Sequence, residues 1–273
     1  MKVKSPKTLR KWRMAAIGKT NISMIPKTLH YCWLGPHPKS ETFQSCLESW
    51  KYHCPDFEIK EWTQANSAHY QNKFFHDALR KQQYAFAADC LRVQILYEMG
   101  GVYLDTDMLV VQPLDRLLDY RFFTGYETEN RPAYGLFGAE PGNHIIAQMK
   151  HFYDTNYFNA FSPPVITHTF KELVTESNLG NQEIILPMPC FYPQPYQERG
   201  TPFEPFVTPE TLAVHLWDHS WKRTKKDGTW QLIRNLNHVW IDYLFYRYPK
   251  SYLVRYGREF SRKLYHRLIL RQA

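Results

Sequence analysis

Asp105-Thr106-Asp107 sets two carboxylates two residues apart at the end of a short strand-like run, Gly101-Val102-Tyr103-Leu104, which follows a long helical segment closed by Gly100-Gly101. Side chains at i and i+2 of a strand point the same way. At a strand's frayed end two such groups can share one hard divalent cation and leave its other positions open. Mg²⁺ and Mn²⁺ favour such oxygen sites and complete the shell with water and substrate phosphate. The triplet is therefore a place to hold a diphosphate, although Asp-x-Asp also occurs as an ordinary solvated loop start. Upstream, Asp89 and Arg92 lie three apart on the predicted helix over 85–99, on a different edge from the apolar stripe Phe86, Cys90, Val93 and Tyr97. They read in two ways. One is an intrahelical ion pair. In the other, Arg92 neutralises a phosphate through its planar fork while Asp89 accepts from sugar hydroxyls. Glu127, Glu129 and Glu140 read as surface charges, so no carboxylate stands out as a covalent nucleophile.

The elements that must position these groups alternate. Strands are predicted over 25–33, 57–62, 102–105, 108–111, 122–126, 135–139, 183–186 and 212–216. Helices are predicted over 41–52, 74–80, 85–99, 143–153 and 171–176, with Asn143 as an N-cap. The stretch 187–209, rich in Pro, Phe and Tyr, reads as an irregular excursion. Strand–helix alternation in the first half indicates a mostly parallel α/β sheet, whose ligands bind at the carboxyl ends of the strands, where Asp105-Thr106-Asp107 falls.

With 273 residues, the chain can bury a large core, and its hydrophobic and charged contents, 44% and 22%, exclude a disordered chain. Its five cysteines are odd in number and none is in a Cys-x-x-Cys pair, which argues against a disulfide framework or a zinc ribbon and fits a reducing compartment. No run approaches the roughly 18 apolar residues of a spanning helix, and no signal-peptide core is present. The net charge of +8 is concentrated at the two ends: seven Lys or Arg and no acid fall within residues 1–20. Near the other end, Arg255, Arg258, Arg262, Lys263, Arg267 and Arg271 face Glu259 alone, interleaved with Tyr252, Tyr256, Phe260 and Leu264 at helical spacing. That is a basic amphipathic helix, suited to an anionic membrane face or to packing on the body with its basic side in water. No DNA- or RNA-binding signature accompanies the charge, so nucleic acid is not an expected partner.

The run Tyr84-Ala85-Phe86-Ala87-Ala88-Asp89-Cys90-Leu91-Arg92, continuing through Leu96-Tyr97-Glu98-Met99-Gly100-Gly101-Val102-Tyr103-Leu104 to Asp105-Thr106-Asp107, resembles the signature of glycosyltransferase family 32, which includes bacterial capsular-polysaccharide sugar transferases. Ile25 to Gly35 is similar to that family's opening strand. Ser49-Trp50-Lys51 with Pro55-Asp56-Phe57-Glu58, and His215-Leu216-Trp217-Asp218-His219-Ser220-Trp221, match it as well, so the resemblance spans about residues 24–221. The segment 133–139 departs from the pattern: Tyr134 and Gly135 stand where the family has an Asn before small residues, which leaves the acceptor side open.

The resemblance implies a GT-A fold, an α/β Rossmann-like mixed sheet flanked by helices over residues 23–222. A basic segment over 1–22 would precede it and a basic helical C-terminal extension over 223–273 would follow. It implies transfer of a hexose from a nucleotide-sugar, UDP favoured over GDP, with retention at the anomeric carbon. Trp33 would stack on the donor base, and Asp89 and Arg92 would contact donor sugar, ribose or phosphate. Asp107 would ligate Mn²⁺ or Mg²⁺ directly; Asp105 would bind sugar or ribose and the metal; Ser220 and Trp221 would close over the diphosphate. By likeness to a second retaining family, of bacterial galactosyltransferases, His215 would complete the metal shell, with His219 a rival. The expected protein is a cytoplasmic enzyme, peripheral on the inner membrane face, acting on a glycan or lipid-linked glycan acceptor in capsular or surface-polysaccharide biosynthesis. The competing classes are a metal-dependent phosphohydrolase and a non-catalytic membrane-associated sugar-binding protein.

Overall fold

The computed structural model describes residues 24–160, 163–218 and 229–268. The basic segment 1–22 lies outside them. In chain order the regular elements are β1 (Thr28–Cys32), α1 (Glu41–His53), β2 (Glu58–Trp62), α2 (Lys73–Arg80), α3 (Tyr84–Met99), β3 (Gly101–Leu104), β4 (Met108–Val110), β5 (Phe122–Thr128), β6 (Arg131–Ala139), α4 (His144–Thr155), α5 (Ile166–Thr169), β7 (Glu183–Leu186), β8 (Ala213–His215), α6 (Thr229–Phe245) and α7 (Lys250–Leu268). Polar caps set the helix starts: Ser40, Asn72 and Asn143 accept from the backbone N–H groups of Phe43, Phe75 and Ile145.

A six-stranded sheet runs in the order β2-β1-β3-β6-β5-β7, and β4 with β8 forms a separate two-stranded ladder. The first half is parallel, as expected, with β1 between β2 and β3. The second half is mixed: β6 runs antiparallel to both β3 and β5, while β7 pairs parallel with β5, which gives the mixed sheet that the resemblance implies. The cause is local. Only Glu129 and Asn130 separate β5 from β6, and Asn130 takes a left-handed φ of 56°. A two-residue loop joins only antiparallel strands, and Asn tolerates that conformation.

Alternation along the strands divides the core into two layers. Leu29 and Tyr31 of β1, and Val102 and Leu104 of β3, pack with Phe43, Cys46 and Trp50 of α1. Cys32, Tyr103 and Phe137 face the other way, onto α2, α3 and α4. Helix α3 is buried nearly all round from Ala87 to Leu96, including Asp89, Arg92 and Gln94, as the central element of that layer requires. All five cysteines are free and buried.

Two further segments bear on sequence expectations. The helix expected over 171–176 is absent. The helical turn is α5, and Lys171 to Glu176 form turns. Phe170 and Val174 supply the helical spacing, but both are anchored in the core, and the N–H groups of Leu173 and Val174 share the Phe170 carbonyl, each at 3.2 Å. The stretch 187–209 is irregular, as expected. At the other end, α6 and α7 pack through Val239, Tyr248, Tyr252 and Tyr256. The pair is fixed to α2 by Asp242, which is fully buried and accepts from Arg80 at 2.6 Å, from Tyr252 at 3.0 Å and from Lys81.

The turn from α3 into β3 needs glycine. Gly100 and Gly101 have φ of 63° and 101°, and a Cβ on Gly101 would sit 2.6 Å from His30 Nε2 and 2.8 Å from the Thr28 carbonyl oxygen. His30 closes this corner. Its Nε2 lies 3.0 Å from the Gly100 carbonyl, and its Nδ1 accepts from Trp62 Nε1 at 3.1 Å, which fixes the neutral tautomer with hydrogen on Nε2. Burial pushes the His30 pKa down to about 4. Above pH 6.5 both folded and unfolded chains carry a neutral imidazole there. As pH falls from about 6.5 to about 4, only the unfolded chain takes up the proton, so stability declines across that window by on the order of 3 kcal/mol. His30→Gln, which keeps one donor and one acceptor, is expected to flatten that part of the melting-temperature profile; an unchanged acid slope in the variant would contradict the assignment.

Candidate active site

Parallel register puts the ends of β1 and β3 side by side, Leu29 with Val102 and His30 with Tyr103. Asp105 leaves β3 at that edge. Its N–H donates to the Gly135 carbonyl of β6 at 2.6 Å, and its own carbonyl accepts from Met108 N–H at 3.0 Å, so the Asp-x-Asp loop is a tight turn between β3 and β4. Strand β4 then pairs with β8, with Met108 opposite His215, and Leu216 N–H donates to the Asp107 carbonyl at 2.9 Å. Trp50 Nε1 donates to the Met108 carbonyl at 2.7 Å and fixes this ladder to α1. The pairing brings His215, far away in sequence, onto the carboxylate pair.

One ligand atom from each of Asp105, Asp107 and His215 lies within 4.8 Å of the other two. His215 Nε2 stands 3.2 Å from Asp107 Oδ1, while its Nδ1 is buried without a hydrogen-bond partner. Asp105 keeps 31% of its side chain exposed, more than Asp107 or His215, so the cluster is open at Asp105. Burial acts against the charge on Asp107, but the facing His215 charge and hydrogen bond outweigh it and hold that carboxyl below its usual range. Burial likewise works against charge on His215, and Asp107 overcomes it, so the imidazole is raised. Asp105 is raised by burial; Arg92 opposes that shift and Asp107 adds to it. Two carboxylates and an imidazole gathered this closely are a donor set that fits a divalent cation.

Arg92 reaches this cluster from α3. Its Nη2 lies 3.0 Å from Asp89 Oδ1 and 3.0 Å from Asp105 Oδ1, its Nη1 donates to the Tyr134 carbonyl at 2.8 Å, and its plane stacks over the Tyr103 ring at 4.2 Å. Tyr103 Oη also donates to Asp105 Oδ1, at 3.3 Å. The intrahelical pair with Asp89 thus exists, but it is part of a larger clamp. The fork meets two protein carboxylates and a carbonyl, and it holds Asp105 in place. Burial pushes the Asp89 carboxyl up to about 7, with Arg92 opposing and Asp105 adding to the shift.

Of the other expected donor residues, Trp33 follows β1 at the same edge of the sheet. Its ring packs on Phe43 at 5.3 Å and its indole N–H donates to the His37 carbonyl at 2.9 Å. Ser220 and Trp221, and the rival ligand His219, lie outside the described residues. Two residues that sequence reasoning missed line the cluster. Trp217, at a left-handed φ of 56°, sets its ring 4.1 Å from that of His215 and donates its indole N–H to the Gln194 carbonyl at 3.0 Å. Tyr192, buried, sits 5.4 Å from the His215 ring, and its hydroxyl accepts from Gly135 N–H at 3.2 Å. Tyr192 comes from the irregular stretch, where aromatic richness was the sole signal. Gly135 is needed for close approach, since a Cβ there would lie 2.9 Å from Tyr192 Oη and 3.0 Å from Asp105 Oδ2. The segment that departs from the expected pattern therefore backs the carboxylates, with Tyr134 and Gly135 supplying the carbonyls that fix Arg92 and Asp105.

Residues 40–123 match the family model described as glycosyltransferase sugar-binding region containing DXD motif. The chain thus contains a region similar to the Asp-x-Asp sugar-binding region of glycosyltransferases, and Asp89, Arg92, Asp105 and Asp107 all lie inside it. More particularly, it is 28% identical over 187 residues to lactosylceramide 4-alpha-galactosyltransferase of Mus musculus, covering 61% of this chain and 50% of that one. To the same enzyme of Homo sapiens it is 29% identical over 164 residues, covering 52% and 44%. The chain thus spans about half the length of the curated relatives it matches. Among solved structures, the PaToxG glycosyltransferase aligns with a TM-score of 0.42 and 16% identity over 55% of this chain and 70% of that one.

Arg92→Met is expected to leave Asp89 and Asp105 facing each other without a cation and to destabilise the fold by about 3–5 kcal/mol, read by denaturant unfolding; a loss under 1 kcal/mol would mean the clamp is not structural. Gly135→Ala is expected to lower the melting temperature and to weaken any Mn²⁺ binding roughly tenfold, because the added methyl crowds both the buried Tyr192 Oη and Asp105 Oδ2; an unaltered melting temperature and calorimetric affinity would exclude that crowding.

Proposed function

We propose that the protein is a metal-dependent, retaining glycosyltransferase of the GT-A type, allied to glycosyltransferase family 32. It would move a hexose from a nucleotide-sugar, UDP-linked in preference to GDP-linked, to a lipid-linked or polysaccharide acceptor glycan in capsular or surface-polysaccharide assembly at the inner membrane face. The observation that carries this reading is the convergence of Asp105, Asp107 and His215 at the carboxyl edge of the parallel half-sheet, with both carboxylates inside the region that matches the sugar-binding glycosyltransferase model and His215 brought to them from outside it. The relatives' name gives them an α-galactosyl product on a lipid-borne sugar, which supports both a lipid-linked acceptor and, from an α-linked donor, retention.

Asp105, Asp107 and His215 would hold the cation. An imidazole beside two carboxylates favours Mn²⁺ over Mg²⁺, which prefers oxygen alone. When bound, that ion supplies Lewis-acid stabilisation of the charge growing on the nucleoside diphosphate leaving group. The chain's own residues would do the rest. Arg92 and Tyr103 orient Asp105, so that its other oxygen meets the ion or a donor hydroxyl. Trp33 offers an aromatic face for the base at the same edge. Ser220 and Trp221 would cover the diphosphate, and the acceptor hydroxyl would approach from the leaving-group side.

A panel of UDP- and GDP-sugars incubated with the full chain tests this reading. One donor is expected to release nucleoside diphosphate slowly, and only when Mn²⁺ or Mg²⁺ is present. Asp107→Ala is expected to lower that rate by roughly 10²–10³-fold while the fold is retained. Metal-independent release, or near-normal turnover of the variant, would refute the metal role. Cleavage of simple phosphate esters would point to a hydrolase instead.

A further inference from the structure

Helix α6 buries Val239 and Asp242 on one side. On the opposite side Leu236, Trp240, Ile241, Leu244 and Phe245 stand in solvent, with Trp240 49%, Leu244 62% and Phe245 74% exposed. Positions 236, 240 and 244, with 241 and 245 alongside, occupy one arc of about half the helix circumference. Scattered exposed apolar residues are ordinary, whereas a contiguous row of large ones marks a contact surface. Basic residues follow at once: Arg247 lies in the turn after α6 and Lys250 opens α7, with Arg258 further along, and all three are exposed. The acid that could offset them on α6, Asp242, is sealed under Arg80 and Lys81. None of the described helices is long and apolar enough to cross a membrane.

We propose that the outward face of α6 inserts into the headgroup region of an anionic lipid bilayer, with the basic residues of the α6–α7 turn and of α7 against the lipid phosphates. Indole and phenyl rings settle at the headgroup level and aliphatic side chains below it, while Lys and Arg meet anionic headgroups. A second copy of this chain is a poorer occupant. A two-fold pairing over this face would bring Arg247 and Lys250 of one copy towards those of the other, and like charges repel. The membrane-borne acceptor proposed above gives this surface its purpose, but the geometry stands without it.

The test is co-sedimentation of the full chain with vesicles of phosphatidylcholine alone or mixed with phosphatidylglycerol. Binding is expected to the mixed vesicles and to be at least tenfold weaker for Trp240→Ser/Phe245→Ser and for Lys250→Glu/Arg258→Glu, with melting temperature unchanged because these side chains are exposed. Brominated lipid is expected to quench tryptophan fluorescence of the wild type more than that of Trp240→Phe. Equal binding by the wild type and Trp240→Ser/Phe245→Ser would overturn the proposal. So would absence of binding to the mixed vesicles, or a dimer in the ultracentrifuge that the same double variant dissolves. Metal-dependent donor hydrolysis by the Trp240→Ser/Phe245→Ser variant is expected to match the wild type, so failure at the membrane and failure of the transferase reading give different results.

Discussion

One buried guanidinium organises this molecule's chemistry. Arg92 rises from the most enclosed helix of the fold and joins two carboxylates from different elements, Asp89 on α3 and Asp105 at the end of β3. Guanidinium stays charged in any protein environment, so it supplies a fixed positive centre where water is scarce. It is one cation for two acids. With Asp107 and His215 balancing each other alongside, negative charge remains in excess in a poorly hydrated place, which is costly unless a proton or a cation joins. Burial raises the Asp89 carboxyl to about 7 against the pull of Arg92, and the Asp105 charge adds to that rise.

Geometry reinforces the electrostatics. Arg92 and Tyr103 both occupy Oδ1 of Asp105, which leaves Oδ2 facing Gly135 and Tyr192. The bare α-carbon of Gly135 therefore acts on the site through the room it leaves. Behind the carboxylates, Gly100, Gly101 and His30 let α3 turn into β3 within two residues, so that the helix and the strand that share Arg92 are held at a fixed separation.

Much of this was legible in the sequence wherever the signal was local. Periodicity, with the Asn143 cap for α4, put α1, α2, α3 and α4 within a residue or two of their observed limits, and the carboxylate pair fell at the strand end where alternation predicted it. The direction of β6 was also written locally, in Glu129-Asn130, but strand–helix alternation overshadowed it. Non-local features were harder. His215 meets Asp107 only because β4 pairs with β8, and spacing along the chain carries no trace of that register; the expectation came from resemblance. The two readings left open for Arg92 differ in where its fork points, and that depends on Asp105 and the Tyr134 carbonyl, which a helical wheel does not contain. Tyr192 was hidden in an irregular stretch, where aromatic residues are too many to single one out.

The buried Asp242 ties the last helices to the centre of the molecule. Its partners Arg80 and Lys81 sit at the end of α2, and only Gln82 and Gln83 separate them from α3, the helix that carries Asp89 and Arg92. A shortened chain ending before α6 would keep every candidate ligand yet strand two cations at the corner from which that helix starts. The terminal hairpin is thus a keystone of the scaffold as well as an outer surface, and trimming it for crystallisation or expression would disturb the interior.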